Sequence, residues 1–381
     1  MAIKYLAGDR LIGTTAERAA LTTTVTGSPT ANAWKEIKRF TATGSQDELD
    51  TGTFPAKDNL MFLIYIPTTT NNHDPKLTFN GDSDSVTTYK DRRSVAGEAF
   101  DHQNTNYYMD LYMVGTGGSQ FVVGEIVNRS GVKKNFRYQG VATGSAGNTA
   151  VVRREWFGVY NDTAQITSMK VHSGAATDYN FPVGSEIIVL GMDNDETATT
   201  GASASPTHTD NPFWNQLGAI DTLTGDGVMH STFADKNYLY TELFAARTTN
   251  GNKGFFPNDD NSSSTTPCTF VANANGQDSD GGGSSAREAI QITYADSNDE
   301  FSFTRCWIAN PHDKEKLFII QTTEANSASD GYNDQVAPQR NEGAGKWTAT
   351  NAGIIKLSVS DGDGVVINFK TGSFMRVWGN D

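Results

Sequence analysis

The chain has 381 residues, 37% of them hydrophobic and only 19% charged, with 37 glycines and a net charge of −14. An acidic surface repels phosphate, which argues against nucleic acid as a partner. The lack of any apolar run of about 18 residues argues against a membrane-spanning helix, and no stretch is rich in Ala, Leu, Glu and Lys together, so strands and turns are expected rather than long helices.

Residues 1–30 read as an N-terminal arm. Its opening, MAIKYLAGDR, lacks an apolar core of signal-peptide length, so synthesis in the cytoplasm without a signal peptide is expected. Ala16 to Leu21 reads as a helical turn or two, followed by loop-like TTTVTGSP. Such an arm docks either on its own domain or on a neighbouring subunit. The first domain, 31–191, opens with Trp34 to Phe40. Leu60 to Ile66 is apolar nearly throughout, the pattern of a strand buried on both faces or central in a sandwich, and Pro67 stops it. Strands follow at 76–80, 107–114, 120–128 and 135–143, separated by turn residues and a Gly-rich loop from Gly144 to Asn148. Residues 151–160 mix charge with aromatics. Residues 165–173 alternate with period two, as a half-exposed strand does. The domain closes with GSEIIVLG, 184–191.

Residues 192–212 hold almost no large apolar side chain and read as a linker. The second domain, 213–381, repeats the scheme with polar, Gly-rich surface loops between Asn250 and Ser285. Strands resume at 289–296, 301–310 and 316–323, then come Trp347, a run around Leu357 and the ending GSFMRVWG, 372–379.

That ending therefore occurs twice, and other residues recur in the same order at a nearly constant offset. Trp34 matches Trp214, Lys57 matches Lys236, and Leu60 matches Leu239. Phe121, Asn128 and Phe136 match Phe303, Asn310 and Phe318, and Trp156 matches Trp347. The chain reads as all-β: two tandem, internally duplicated antiparallel β-sandwiches, jelly-roll-like, with about eight strands each. The four recurring tryptophans are expected in the inner cores.

Little in the sequence carries chemistry. The six histidines have no ligand spacing, and HExxH, GxSxG, a Walker loop and GxGxxG after a strand are absent. No catalytic residue, no cofactor and no enzymatic activity are expected. Cys268 and Cys306 form no CxxC; a single disulfide is not demanded, and two half-buried thiols are the simpler reading. Asp193 and Asp195, and Asp361 and Asp363 in the turn SDGDGV, are weak calcium candidates beside the commoner Asp-Gly turn. Phe255, Phe256 and Tyr332 are candidates to stack on a sugar or fill a partner's pocket, although the Phe pair could equally fold back on its own domain.

GDRLIGTTAER at 8–18 and the two domain endings resemble virion surface proteins of tailed viruses infecting marine bacteria and archaea. In that group the arm looks like GDRIxGTSAER and the domain ends in GSExxVxG. Phe374 departs from the pattern by replacing the acidic residue. The resemblance implies a non-enzymatic virion structural protein on a capsid or tail, working as a homo-oligomer such as a trimer, beside other virion proteins. A double-jelly-roll capsid protein and a module reading host surface glycans through the 250–285 loops are the alternatives.

Overall fold

The computed structural model describes residues 34–67, 75–82, 89–95, 102–106, 108–111, 118–143, 151–172, 180–193, 213–218, 221–225, 227–248, 253–260, 266–274, 277–280, 286–287, 289–292, 301–324, 339–361 and 368–381. The arm and most of the linker lie outside them. Every regular element among the described residues is a strand.

The first unit contains β1 (Lys35–Thr41), β2 (Glu48–Thr53), β3 (Asn59–Ile66), β4 (Lys76–Phe79), β5 (Tyr89–Val95), β6 (His102–Asn106), β7 (Met109–Asp110), β8 (Gln120–Val127), β9 (Lys134–Thr143), β10 (Val151–Tyr160), β11 (Ser168–His172) and β12 (Glu186–Met192). Its large sheet runs β1-β12-β3-β8-β9-β10-β5-β6, and its small sheet β2-β11-β4-β7. All pairings are antiparallel. The interleaved orders β1-β12-β3-β8 and β2-β11-β4-β7 are those of a jelly roll. The remaining strands, β5 with β6 and β9 with β10, widen the large sheet, which is why the count exceeds the expected eight.

The second unit contains β13 (Asn215–Gln216), β14 (Asp221–Thr222), β15 (Met229–Thr232), β16 (Tyr238–Ala245), β17 (Lys253–Pro257), β18 (Thr266–Ala274), β19 (Gln277–Asp280), β20 (Ala286–Arg287), β21 (Ile290–Gln291), β22 (Ser302–Ala309), β23 (Lys316–Glu324), β24 (Gln339–Trp347), β25 (Lys356–Asp361) and β26 (Phe374–Asn380). Its sheets run β13-β26-β16-β22-β23-β24-β18-β19 and β15-β25-β17-β21. Along this path the order is that of the first unit, strand for strand; two short strands are added beside it, β14 paired with β26 and β20 with β18. The polar stretch expected to be loop between Asn250 and Ser285 thus contributes three strands, β17, β18 and β19. β17 and β19 are short and flanked by Gly, Asn and Asp, which leaves too few alternating positions to register as strands, whereas the nine-residue β18 opens on Thr-Pro, a turn signal.

The repeated ending has a physical explanation. Gly184 and Gly372 sit at φ +83° and +90°, a left-handed turn conformation that favours glycine. Their N–H groups donate to Ala42 O and Leu223 O, both at 2.8 Å. The closing glycines carry a different constraint. A Cβ on Gly191 would stand 2.5 Å from Lys57 Cγ, and one on Gly379 would stand 3.0 Å from Lys236 Cβ. Each lysine stem lies across its glycine and reaches a carboxylate at 2.6 Å, Asp193 in one unit and Asp381 in the other.

Asn128 and Asn310 are a second duplicated device. Asn128 donates to Lys57 O and Ile166 O (2.8 and 3.1 Å) and accepts from Ile166 N at 2.7 Å. Asn310 does the same with Lys236 O, Ile354 O and Ile354 N at 2.8, 3.3 and 2.7 Å. Each ties the loop before one strand of the large sheet to the segment entering the small sheet, deep in the fold. Asn128→Ala or Asn310→Ala leaves buried backbone groups unpaired and is expected to cost about 2–4 kcal/mol. Urea unfolding followed by circular dichroism checks this; equal stability in variant and parent would refute it.

Strand alternation divides the apolar side chains into three cores. In β3, Leu60, Phe62, Ile64 and Ile66 face the small sheet, whereas Met61, Leu63 and Tyr65 face the other way and are buried too. In β22, Cys306 and Ile308 face inward, whereas Trp307 and Ala309 face outward. The outward-facing sets from both units form one continuous core. The two large sheets therefore pack face to face, and the molecule has four layers: small sheet, large sheet, large sheet, small sheet. Trp156 and Trp347 occupy the inner cores as expected. Trp34 and Trp214 do not; they stand at the seam between units, because both precede the first strand of a large sheet on its outer side.

Candidate functional site

The residues singled out in the sequence do not converge. Phe255 and Phe256 are buried in β17, with Phe255 wholly in the second inner core, so they are core residues and not exposed contacts. Asp195, Asp363 and Tyr332 lie outside the described residues. Asp361 ends β25, where its backbone pairs with Lys253. Asp193 accepts from Lys57 Nζ at 2.6 Å and from Asp58 N at 3.1 Å. Burial alone would raise its pKa, but the Lys57 ammonium and the Asp58 N–H outweigh burial and hold it below the usual carboxylate range. Its stabilising contribution is thus present above the ordinary carboxylate pKa and is lost as pH falls through the lowered value. No group of three or more His, Cys, Asp or Glu side chains capable of holding a metal occurs among the described residues. Asp193→Asn is expected to cost no more than about 1 kcal/mol, since the pair is partly solvated. Cys306 is a fully buried free thiol whose pKa burial pushes up, so no disulfide joins it to Cys268.

The groups that do converge lie in the seam. Where β10 faces β24, Arg153 Nη2 bridges Glu155 of its own strand at 3.2 Å and Glu342 of the second unit. Gln139 Nε2 donates to the same two carboxylates at 3.2 and 3.3 Å. All four side chains are buried. Elsewhere along the seam, Tyr238 Oη donates to Glu186 Oε2 across the units at 2.6 Å, and Arg39 and Thr41 donate to Oε1 at 3.2 and 2.5 Å. Burial and the neighbouring Glu186 carboxylate push the Tyr238 phenol well up, so it stays a donor. The carbonyl of Trp34 accepts from Phe213 N at 2.9 Å, which joins the start of one large sheet to the start of the other.

Beside these contacts the seam opens into a cavity of about 200 Å³. Its walls are aromatic: Trp34 from the first unit, and Trp214, Tyr240, Trp307 and Trp378 from the second. Tyr240 is the hub, with ring centroids 5.7, 5.5 and 5.3 Å from Trp214, Trp307 and Trp378. Polar groups also line it. Glu242 accepts from Tyr240 Oη at 2.9 Å, and Glu125 accepts from Arg137 Nε at 3.1 Å. Arg305 stands opposite Glu242 in the ladder. Trp34 and Glu125 also wall a second hollow of about 420 Å³ over the first unit's large sheet, beside the half-exposed Phe157 and Val127. Sequence reading missed Trp307 and Trp378. Their positions, between inward-facing Cys306 and Ile308 and directly after inward-facing Val377, were the available signal.

No family model matches the chain, and no characterised protein matches it in sequence. Among solved structures, the mouse laminin α1 chain, domains LG4-5, aligns at 10% identity over 92% of each chain with a TM-score of 0.20. A protein of Novosphingobium aromaticivorans described as a thioesterase aligns at 9% identity, covering 78% of this chain and 99% of its own, with a TM-score of 0.12. At such scores neither likeness bears on fold or function, and what the chain is rests on its own architecture: a duplicated all-β protein of two jelly rolls joined through their large sheets.

Proposed function

We propose that the chain is a non-enzymatic virion structural protein, displayed on a capsid or tail as an oligomer. The observation that carries this reading is the seam. It fuses two jelly rolls into a single four-layer block, with buried ion pairs and aromatic packing between the large sheets. A block of that kind resists bending, which suits a spacer, decoration or attachment element. The likeness of the arm and the domain endings to virion surface proteins supports the same reading. Jelly rolls host several functions, capsid and lectin roles among them, so fold alone does not decide.

Lateral contacts would use the sheet edges. β1 (KEIKRFT) is an edge strand dense in charge, a feature that discourages strand addition. Among the described residues, β6 (HQNTN) and β19 (QDSD) stand at the other ends of the two large sheets. Light scattering of the full chain, together with protein identification in purified particles of the virus that encodes it, tests the proposal. An oligomer present in particles is expected. A monomer at every concentration, absent from particles, would refute it.

A further inference from the structure

We infer that the aromatic cavity in the seam is a binding site for a neutral saccharide ring. This goes beyond the structural role and holds whether or not the chain sits on a virion.

The first ground is divergence between the two copies. In the second unit, Trp378, Tyr240 and Trp307 face one another across three adjacent strands. The register-equivalent row in the first unit is Leu190, Met61 and Glu125. Elsewhere the copies keep the same device in the same place, as Asn128 and Asn310 do. Here one copy carries three large aromatics where the other has two aliphatic-like side chains and a carboxylate. A purely structural seam asks only for apolar bulk, which Leu and Met supply; three polar-tipped rings around a cavity exceed that need.

The second ground is unpaired hydrogen-bonding capacity. The indole N–H groups of Trp307 and Trp378 are buried and have no partner, although both residues line the cavity and are at least nine-tenths buried. Buried donors of this kind ordinarily find an acceptor. The cavity thus presents a donor (Arg305), acceptors (Glu125 and Glu242) and flat aromatic faces together.

Ligand classes separate on that chemistry. A saccharide ring offers hydroxyls that both donate and accept, and C–H faces that pack on aromatic rings. An organic cation would suit the aromatic faces and the carboxylates. It would, however, meet Glu242 already flanked in the ladder by Arg305 and Arg376. An anion would meet two carboxylates. The volume, below the roughly 300–1,000 Å³ of drug-sized sites, fits about one ring. The neighbouring hollow beyond Trp34 gives a chain of linked sugars a direction in which to continue.

Intrinsic fluorescence of the full chain is the direct test, since four indoles line the cavity. Probes are glucose, galactose, mannose and N-acetylglucosamine, with cellobiose, lactose and chitobiose, and tetramethylammonium as the cationic competitor. The expected result is a saturable emission change with at least one sugar. It should weaken at least tenfold in Glu242→Gln and in Trp34→Ala and stay unchanged in Lys170→Ala, on the far small sheet. Glu242→Gln keeps the shape of the side chain, so a lost response there cannot be ascribed to unfolding once its melting curve matches the parent's. A response to tetramethylammonium alone would overturn the assignment in favour of a cation. No saturable response to any sugar, or sugar binding indifferent to both cavity variants, would overturn it outright.

Discussion

Replacing Arg153 by methionine is expected to destabilise the protein by about 3–5 kcal/mol, the cost of breaking a buried ion pair from one side. At roughly 2–4 °C per kcal/mol for units of this size, a loss near the lower end lowers the melting temperature by about 6–12 °C. The reason is geometric. Arg153 lies between Glu155 and Glu342, and all three are shielded from water by the packed sheets. Methionine fills much of the space but leaves two carboxylates facing each other across the seam, with Gln139 as a shared neutral donor. Like charges held in low dielectric repel strongly.

The same variant asks whether the seam is closed in solution. Glu342 belongs to the second unit, so the penalty is felt only when the sheets are docked. Thermal or urea unfolding of Arg153→Met should therefore separate into two transitions as the units melt independently. Replacing Arg153, Glu155, Glu342 and Gln139 together by apolar residues of similar volume should restore part of the loss, because the desolvation cost of these groups disappears with them. An Arg153→Met protein within about 1 kcal/mol of the parent, a surface-pair value, would mean that these residues are hydrated and the units are not docked face to face.

The fold was largely legible in the sequence, and the seam was legible only as a puzzle. The recurrence of GSEIIVLG and GSFMRVWG, with Lys57/Lys236 and Asn128/Asn310 in step, disclosed the duplication because each pair has a fixed structural task in both copies. The unbroken apolar run of β3 indicated burial on both faces, yet such a run cannot say what covers the second face. The partner is a sheet some 180 residues away whose outward set shares the same alternation but is broken by polar positions such as Tyr240 and Glu242. The cavity stayed hidden for a related reason. Trp34 and Trp214 recur, which suggested core, and only their placement ahead of β1 and β13 puts them at an edge. Phe255 and Phe256 stayed ambiguous: their polar neighbours suggested a surface loop, whereas β17 is the counterpart of β4 and places Phe255 in the inner core.

Lys316→Met is expected to cost about 3–5 kcal/mol, from three charge-assisted hydrogen bonds to backbone carbonyls at about 1 kcal/mol or more each. Lys316 is fully buried, and its ammonium donates to His312 O, Lys314 O and Ala349 O at 3.3, 2.7 and 2.7 Å. It also lies 5.5 Å from the centre of the Trp347 ring. Burial lowers its pKa to about 8, which still leaves it mostly protonated at neutral pH, with one N–H for each carbonyl. Methionine matches the stem but offers no donor. The first unit supplies an internal replicate. Lys134 is equally buried, begins β9 as Lys316 begins β23, and donates to Arg129 O, Val132 O and Thr163 O at 2.9, 2.5 and 2.9 Å. Lys134→Met should lose a similar amount, and the two losses should add, since the sites share no partner. Each lysine gathers the turn before its strand and the loop that leads away from β10 or β24 onto one charge. In the duplicated design it replaces an apolar plug at a place where backbone, not side chain, needs partners. Urea titrations of both single variants and the double decide the matter. A loss below about 1 kcal/mol in either single variant would mean that water, rather than the ammonium, satisfies those carbonyls.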